Sequence, residues 1–126
     1  MLQEWQIDNA AYIYRFFTSR GFTPEATCAM LGNFEQESSL DPNAWQNGMV
    51  GYWSNWRVGF GIAQWSPAEK LRGWCEARGL SPYSLESQCE FMYFEMQHPE
   101  GYYLPSLEEK FTPWEDIGMS DRKSVV

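Results

Sequence analysis

GNFEQESSLDP, residues 32–42, is the stretch from which the rest of this chain is read. It closes a helix that starts at Thr23-Pro24-Glu25, where Thr23 can accept an N-cap hydrogen bond and Pro24 suits the first helical position. At about 100° per residue, Ala26, Met30, Asn33 and Glu37 share one face of a helix running from Pro24 to about Ser38. Glu35 falls on the opposite, solvent side. Glu37 is therefore expected to be partly desolvated, the surroundings in which a carboxyl keeps a proton near neutral pH. A turn at Asp41-Pro42 follows, and then a loop rich in glycine and aromatic residues. The pattern predicts one proton-donating acid, Glu37, at the lip of a groove, as the cleavage of a glycosidic bond requires. The bland alternative is a last-turn glutamate bonded to nearby backbone.

The loop, residues 41–65, carries Trp45, Tyr52, Trp53, Trp56, Phe60 and Trp65. Flat aromatic faces stack on the C–H faces of sugars while an indole N–H still donates a hydrogen bond. Trp45, Trp53 and Trp56 are read as candidate ligand contacts. Trp65, just before a helix start, is read as core. The run Gly59-Phe60-Gly61-Ile62-Ala63-Gln64-Trp65 adds glycines that permit close backbone approach and an amide that can both donate to and accept from a sugar. A Gly-x-Gly followed by Gln is weak on its own and gains meaning about two dozen residues after the Glu-Ser helix end.

Composition narrows the class. The chain has 126 residues and 44% hydrophobic content, consistent with one globular domain, residues 1–126. No apolar run reaches the roughly 20 residues of a membrane span, and no secretory signal pattern is present. The net charge of −8 argues against nucleic acid as a partner. It also gives no attraction to an acidic cell wall, so an enzyme with that target needs delivery by attachment to a larger particle. Cys28, Cys75 and Cys89 make an odd set without a CxxC pair, read as buried free thiols from a reducing compartment. The lone His98 leaves a Cys–His hydrolase without a recognisable nucleophile motif and excludes a multi-histidine metal site; no cofactor is expected.

Four helices are predicted. The first is capped at Asp8 or Asn9 and runs to about Ser19, with Ala10, Ile13, Tyr14 and Phe17 on one side. The second is the Glu37 helix. The third begins with a capping box at Ser66-Pro67-Ala68-Glu69 and ends before Gly79. The fourth opens at Ser84 and runs to about Gln97, with Leu85, Gln88 or Cys89, Met92 and Met96 along one side. The fold class is α+β, mainly α, with a small β-hairpin region inserted after the second helix. Residues 110–126 read as a mobile tail.

Three segments, NAAYIYRFFTSRGFTPEA, LGNFEQESSLDPNAWQN and GFGIAQWSPAEKLRGW, together resemble the phage tail lysozyme family of the lysozyme-like superfamily. They cover roughly residues 9–75 with that family's order and spacing. The resemblance implies a lysozyme-like fold and a peptidoglycan glycan strand as substrate, cut between N-acetylmuramic acid and N-acetylglucosamine. It makes Glu37 the catalytic acid and the Gln64 motif part of the groove. Ser38, Trp45, Gln46, Trp53, Trp56, Gly59, Gly61 and Gln64 become the candidate substrate-binding residues. It further implies folding in a host cytoplasm, residence in a virion tail beside other tail proteins, and action outside the cell after delivery.

Two departures shape the expected chemistry. No Asp or Glu lies between Asp41 and Glu69, although a glycosidase normally places a second carboxylate across its groove. A lytic transglycosylase with Glu37 alone is therefore a second reading, beside hydrolysis. The final segment FTPWEDIGMSDRKSVV also lacks an amphipathic helical period where such domains continue into helix, which reads as a shortened member or a truncated product. A non-catalytic glycan-binding module and a purely structural tail protein complete the alternatives.

Overall fold

The computed structural model describes residues 1–46, 56–98, 103–104 and 109–110. Four helices dominate it: α1 (Glu4–Thr18), α2 (Pro24–Ser38), α3 (Glu69–Glu76) and α4 (Leu85–Met96). Helix α1 packs on α2 and α4, and α3 packs on α4. Their shared core holds Ile13 and Phe17 from α1, Met30 and Phe34 from α2, Leu71 and Trp74 from α3, and Phe91 and Met92 from α4. Complete burial of a side chain such as Phe34 stabilises the fold by roughly 2–3 kcal/mol.

Capping chemistry sets the helix ends. Thr23 Oγ1 accepts the Ala26 N–H at 3.0 Å and Ser84 Oγ accepts the Ser87 N–H at 3.1 Å, so α2 and α4 begin where the sequence places them. Helix α1 starts earlier than an Asp8 or Asn9 cap would allow. Its first turn is closed by Gln6, whose Oε1 accepts the Gln3 N–H at 2.7 Å. Asn9 lies inside α1 and bonds elsewhere. Helix α3 starts later than the Ser66 capping box implies. The Ala68 and Glu69 N–H groups are satisfied by the Val58 and Trp56 carbonyls, at 3.2 and 2.8 Å, so the first turn takes its partners from the preceding loop.

No β-hairpin appears between α2 and α3 among the described residues; residues 47–55 of that segment lie outside them. What stands there is a pair of isolated antiparallel bridges, Trp45 with Phe60 and Phe60 with Trp65. The loop spends its other backbone groups differently: the Gly61 N–H donates to the Ala44 carbonyl, and the Val58 and Trp56 carbonyls serve α3. The one sheet among the described residues follows α4, where β1 (Tyr103–Leu104) pairs antiparallel with β2 (Glu109–Lys110). Tyr103 opposes Lys110, the first residue of the segment read as a tail, while residues 111–126 lie outside the described residues. No described helix is long and apolar enough to cross a membrane.

The end of α2 is the feature that matters most for the site. Ser39 and Leu40 both adopt left-handed backbone, at φ 56° and 64°. Neither is glycine, so each conformation costs about 1–2 kcal/mol and must be imposed from outside. Burial of the Leu40 side chain supplies part of that constraint. The C-cap bonds of α2 add to it, from the Ser39 N–H to the Glu35 carbonyl and the Leu40 N–H to the Phe34 carbonyl, and so does helix α1: Gln6 Nε2 donates to the Ser39 carbonyl at 3.0 Å, and Asn9 Nδ2 donates to the Leu40 carbonyl at 2.9 Å. The chain is thereby turned sharply just past Glu37.

Candidate functional site

A cleft of about 360 Å³ opens beside the last turn of α2 and is lined by Glu37, Gln46, Gly59, Gln64 and Ser66. Four of these are sequence candidates; Ser66 is an addition. Ser66 is exposed, and the Ala68 and Glu69 N–H groups that a capping serine would serve take the Val58 and Trp56 carbonyls.

Glu37 is exposed, which corrects the expectation of partial desolvation. The buried stripe of α2 is Ala26, Thr27, Met30, Phe34 and Ser38. At about 100° per residue, Glu37 falls between Ala26 and Met30 within that stripe; its exposure goes with its place in the last turn of α2, beside the open cleft. Glu35 lies further round and is exposed, as its phase indicates. Asp41 does not line the cleft. Its Oδ1 accepts the Asn43 N–H at 2.9 Å, which fixes the turn after α2. Among the described residues lining the cleft, Glu37 is the sole carboxylate.

The opposite lip is built from neutral amides, and their hydrogen bonds divide donor from acceptor. Gln46 and Gly59 are joined twice: the Gln46 N–H donates to the Gly59 carbonyl, and the Gly59 N–H donates to Gln46 Oε1, both at 2.8 Å. That leaves the Gln46 Nε2 group as the donor for the cleft. Gln64 is the reverse. Its Nε2 donates to the Ala44 carbonyl at 2.8 Å and to the Gly61 carbonyl at 2.9 Å, which leaves Oε1 as an acceptor. Gln64 also holds left-handed backbone, φ 51°, an uncommon conformation for a residue with a side chain. A Cβ at Gly59 would stand 3.1 Å from Gln64 Oε1 and 3.3 Å from Gln46 Oε1, so this glycine keeps the two amides close together.

Four sequence candidates do not line the cleft. Trp56 is 3% exposed and packs edge-on to Trp45 and Phe60, with ring centroids 5.1 and 5.5 Å apart. An apolar ring at the junction of loop and helix is worth more in the core than on a surface. Ser38 is buried, and its hydroxyl is spent on the Phe34 and Ile62 carbonyls, each at 2.9 Å. Gly61 is buried with φ 91° and lies against the Gln88 side chain. Trp45 is half-buried; its ring sits 4.4 Å from that of Phe60, and it does not line the cleft. Trp53 lies outside the described residues.

The other reactive groups are structural. Burial pushes the Cys75 thiol up to about 12 and raises the Cys89 thiol as well, so neither is a thiolate near neutral pH. Cys28 is exposed, contrary to the reading of three buried thiols. His98 stacks on Phe94, and its Nδ1 lies 2.8 Å from the Phe94 carbonyl. No group of three or more His, Cys, Asp or Glu side chains suited to a metal occurs among the described residues.

The desolvated carboxyl is Glu95, on the buried face of α4. Burial drives it well above the usual carboxylate range; the Trp65 indole N–H, 2.8 Å away, and Lys70 counter this in part. Glu95 does not line the cleft. Sequence reasoning missed it, and the only available signal was its place seven residues after Gln88 on the apolar side of a helix.

The family model for phage tail lysozyme matches residues 8–120. The chain belongs to this family. Morphogenesis protein 1 of Bacillus phage B103 is 39% identical over 92 residues, which are 73% of this chain and 24% of that protein. The chain thus spans about a quarter of the length of that curated relative. In this family member the matched span contains all four helices apart from the first turn of α1, and every residue of the cleft.

Proposed function

We propose that this protein is a peptidoglycan glycosidase that cuts the β-1,4 bond between N-acetylmuramic acid and N-acetylglucosamine, with Glu37 as general acid. The observation that carries the reading is an accessible carboxyl in the last turn of a helix, the one carboxylate among the described residues of a cleft whose other described lining residues are neutral. Gln46 Nε2 offers a donor and Gln64 Oε1 an acceptor in the same cleft. That is the complement of an acetamido group, which accepts through its carbonyl and donates through its N–H. A seated sugar excludes water from the Glu37 side of the cleft, the condition under which a general acid works best. Membership of the phage tail lysozyme family supports wall glycan as the substrate and local opening of the wall by a phage tail as the setting.

In the first step Glu37 gives its proton to the glycosidic oxygen as the C1–O bond breaks. In the second, the Glu37 carboxylate takes a proton from the group that attacks C1. If water attacks, the product has a reducing end. If the muramic acid's own 6-hydroxyl attacks, an anhydro sugar forms and no water is consumed. The lack of a second carboxylate among the described cleft residues favours the intramolecular route as the alternative to hydrolysis, since it needs no acid to hold a water.

Turbidity loss of purified wall suspensions tests the assignment. Glu37→Gln should slow it by about 10²- to 10⁴-fold, the usual contribution of a general acid. Equal rates in the two proteins would overturn the role of Glu37. Mass spectrometry of the released fragments separates reducing-end from anhydro products. Wall binding without turnover by the wild type would mark a glycan-binding module.

A further inference from the structure

Gln88 is fully buried on α4, and its amide is saturated by three separate segments. Oε1 accepts the Ile62 N–H at 2.9 Å. Nε2 donates to the Pro42 carbonyl at 2.7 Å and to the Pro82 carbonyl at 2.8 Å. Ile62 is held from its other side as well, because its carbonyl accepts the Ser38 hydroxyl. Ser38 follows Glu37 directly, and the Asp41 N–H returns to the Ser38 carbonyl at 3.1 Å. These bonds close a ring that runs Ser38, Ile62, Gln88, Pro42 and back along the turn to Ser38. One arm of the ring adjoins Glu37 and the other lies two residues before Gln64. The loop is shaped to the amide: a Cβ at Gly61 would stand 2.9 Å from Gln88 Oε1 and 3.1 Å from its Cδ.

We propose that Gln88 is a positioning residue that fixes Glu37 relative to the Gln64 lip of the cleft through the Ser38–Ile62–Gln88–Pro42 ring. The inference rests on the glycosidase reading of that cleft. The amide is chemically suited to the task because one neutral side chain supplies one acceptor and two donors. A methionine of similar length supplies neither. A glutamate supplies them only in part: protonated, it can accept from Ile62 and donate to one carbonyl, whereas ionised it sets negative charge against the Pro42 and Pro82 carbonyls. Misplacement of a catalytic group by about 1 Å can cost about 10²-fold in rate.

The test compares Gln88→Met, Gln88→Glu, Glu37→Gln and a control, Cys89→Ala, which alters the adjacent buried position without touching the ring. Rates on purified walls are read at a temperature below every melting transition. Gln88→Met should lose about 10- to 100-fold in rate, while Cys89→Ala stays within about twofold of the wild type. Gln88→Glu should show a further pH-dependent loss of rate as the new carboxyl ionises, beyond the alkaline limb that a general acid gives the wild type. Amide exchange reads the ring without any turnover: Ile62 should lose protection in Gln88→Met while Thr27, buried in α2 with its N–H on the Thr23 carbonyl at 3.0 Å, keeps it. Equal rates for Gln88→Met and Cys89→Ala, a wild-type pH profile in Gln88→Glu, or an Ile62 amide that stays protected would overturn the proposal. An active Glu37→Gln would instead overturn the glycosidase reading. An inactive Glu37→Gln beside a fully active Gln88→Met would overturn the positioning role alone.

Discussion

The last turn of α2 and the inner face of α4 each present a glutamate, and the two live in opposite surroundings. Glu37 is exposed in the last turn of the helix and borders an open cleft. Glu95 is enclosed, bonded to the Trp65 indole, and does not line the cleft. Burial is thus uncoupled from the candidate chemistry in this molecule. The α2 end offers a carboxyl to a ligand, and the α4 face uses polar groups to hold the loop that forms the cleft's far wall. Gln88 and Glu95 are two helical turns apart and reach that loop at Ile62 and Trp65. The amide there is indifferent to pH; the carboxyl is not.

Substitutions on the two sides should therefore separate activity from stability. Glu37→Gln stands at one extreme. Its loss of about 10²- to 10⁴-fold in wall lysis should come with an unchanged melting temperature, because an exposed position contributes little to folding. A large drop in melting temperature would break the contrast. Gly61→Ala acts where the two sides meet. Left-handed backbone and the close approach to Gln88 together should cost about 3 kcal/mol, measured by urea unfolding.

Glu95→Gln probes the α4 side through pH. Because burial raises the folded-state value, the native protein binds the Glu95 proton more tightly than the unfolded chain does. Its stabilising contribution is complete below the ordinary value of 4.5 and is lost as pH rises through the raised folded-state value. The difference in stability between wild type and Glu95→Gln should change with pH across that window, by at most about 1.4 kcal/mol per pH unit for one proton. A constant difference would show that the carboxyl does not titrate differently in the two states. The smallest effect belongs to Asn9→Ala. Loss of its bond to the Leu40 carbonyl should cost about 1 kcal/mol in stability and lower wall lysis by a few-fold, since it loosens the left-handed turn beside Glu37.

Local chemistry made much of this legible. The bounds of α2 and α4 follow from Thr23, Pro24 and Ser84, residues whose side chains act within their own turn. Helical phase separated Glu37 from Glu35, but phase alone does not show that the last turn of α2 leaves Glu37 uncovered beside a cleft. The start of α1 escaped because Gln6 is a weak sequence signal for a helix end. Trp56 was misjudged because an aromatic residue in a glycine-rich loop has the same composition whether it faces inward or outward. Gln88 and Glu95 were beyond reach for a deeper reason. Gln88 draws its meaning chiefly from partners 26 and 46 residues away, and Glu95 from one 30 away, in segments with no periodicity to announce the encounter.

The division of labour in the amide lip also bears on how such a cleft could change over generations. Gln46 commits its oxygen to the Gly59 N–H and keeps its nitrogen toward the open space. Glutamine and glutamate codons differ at one base. The substitution Gln46→Glu would keep the bond to Gly59 and put a second, charged oxygen where the nitrogen stood. At Gln64 the same exchange would turn an oxygen against the Ala44 and Gly61 carbonyls. The wall opposite Glu37 therefore has one position from which a two-carboxylate site lies a single mutation away, and a neighbouring one from which that path is closed.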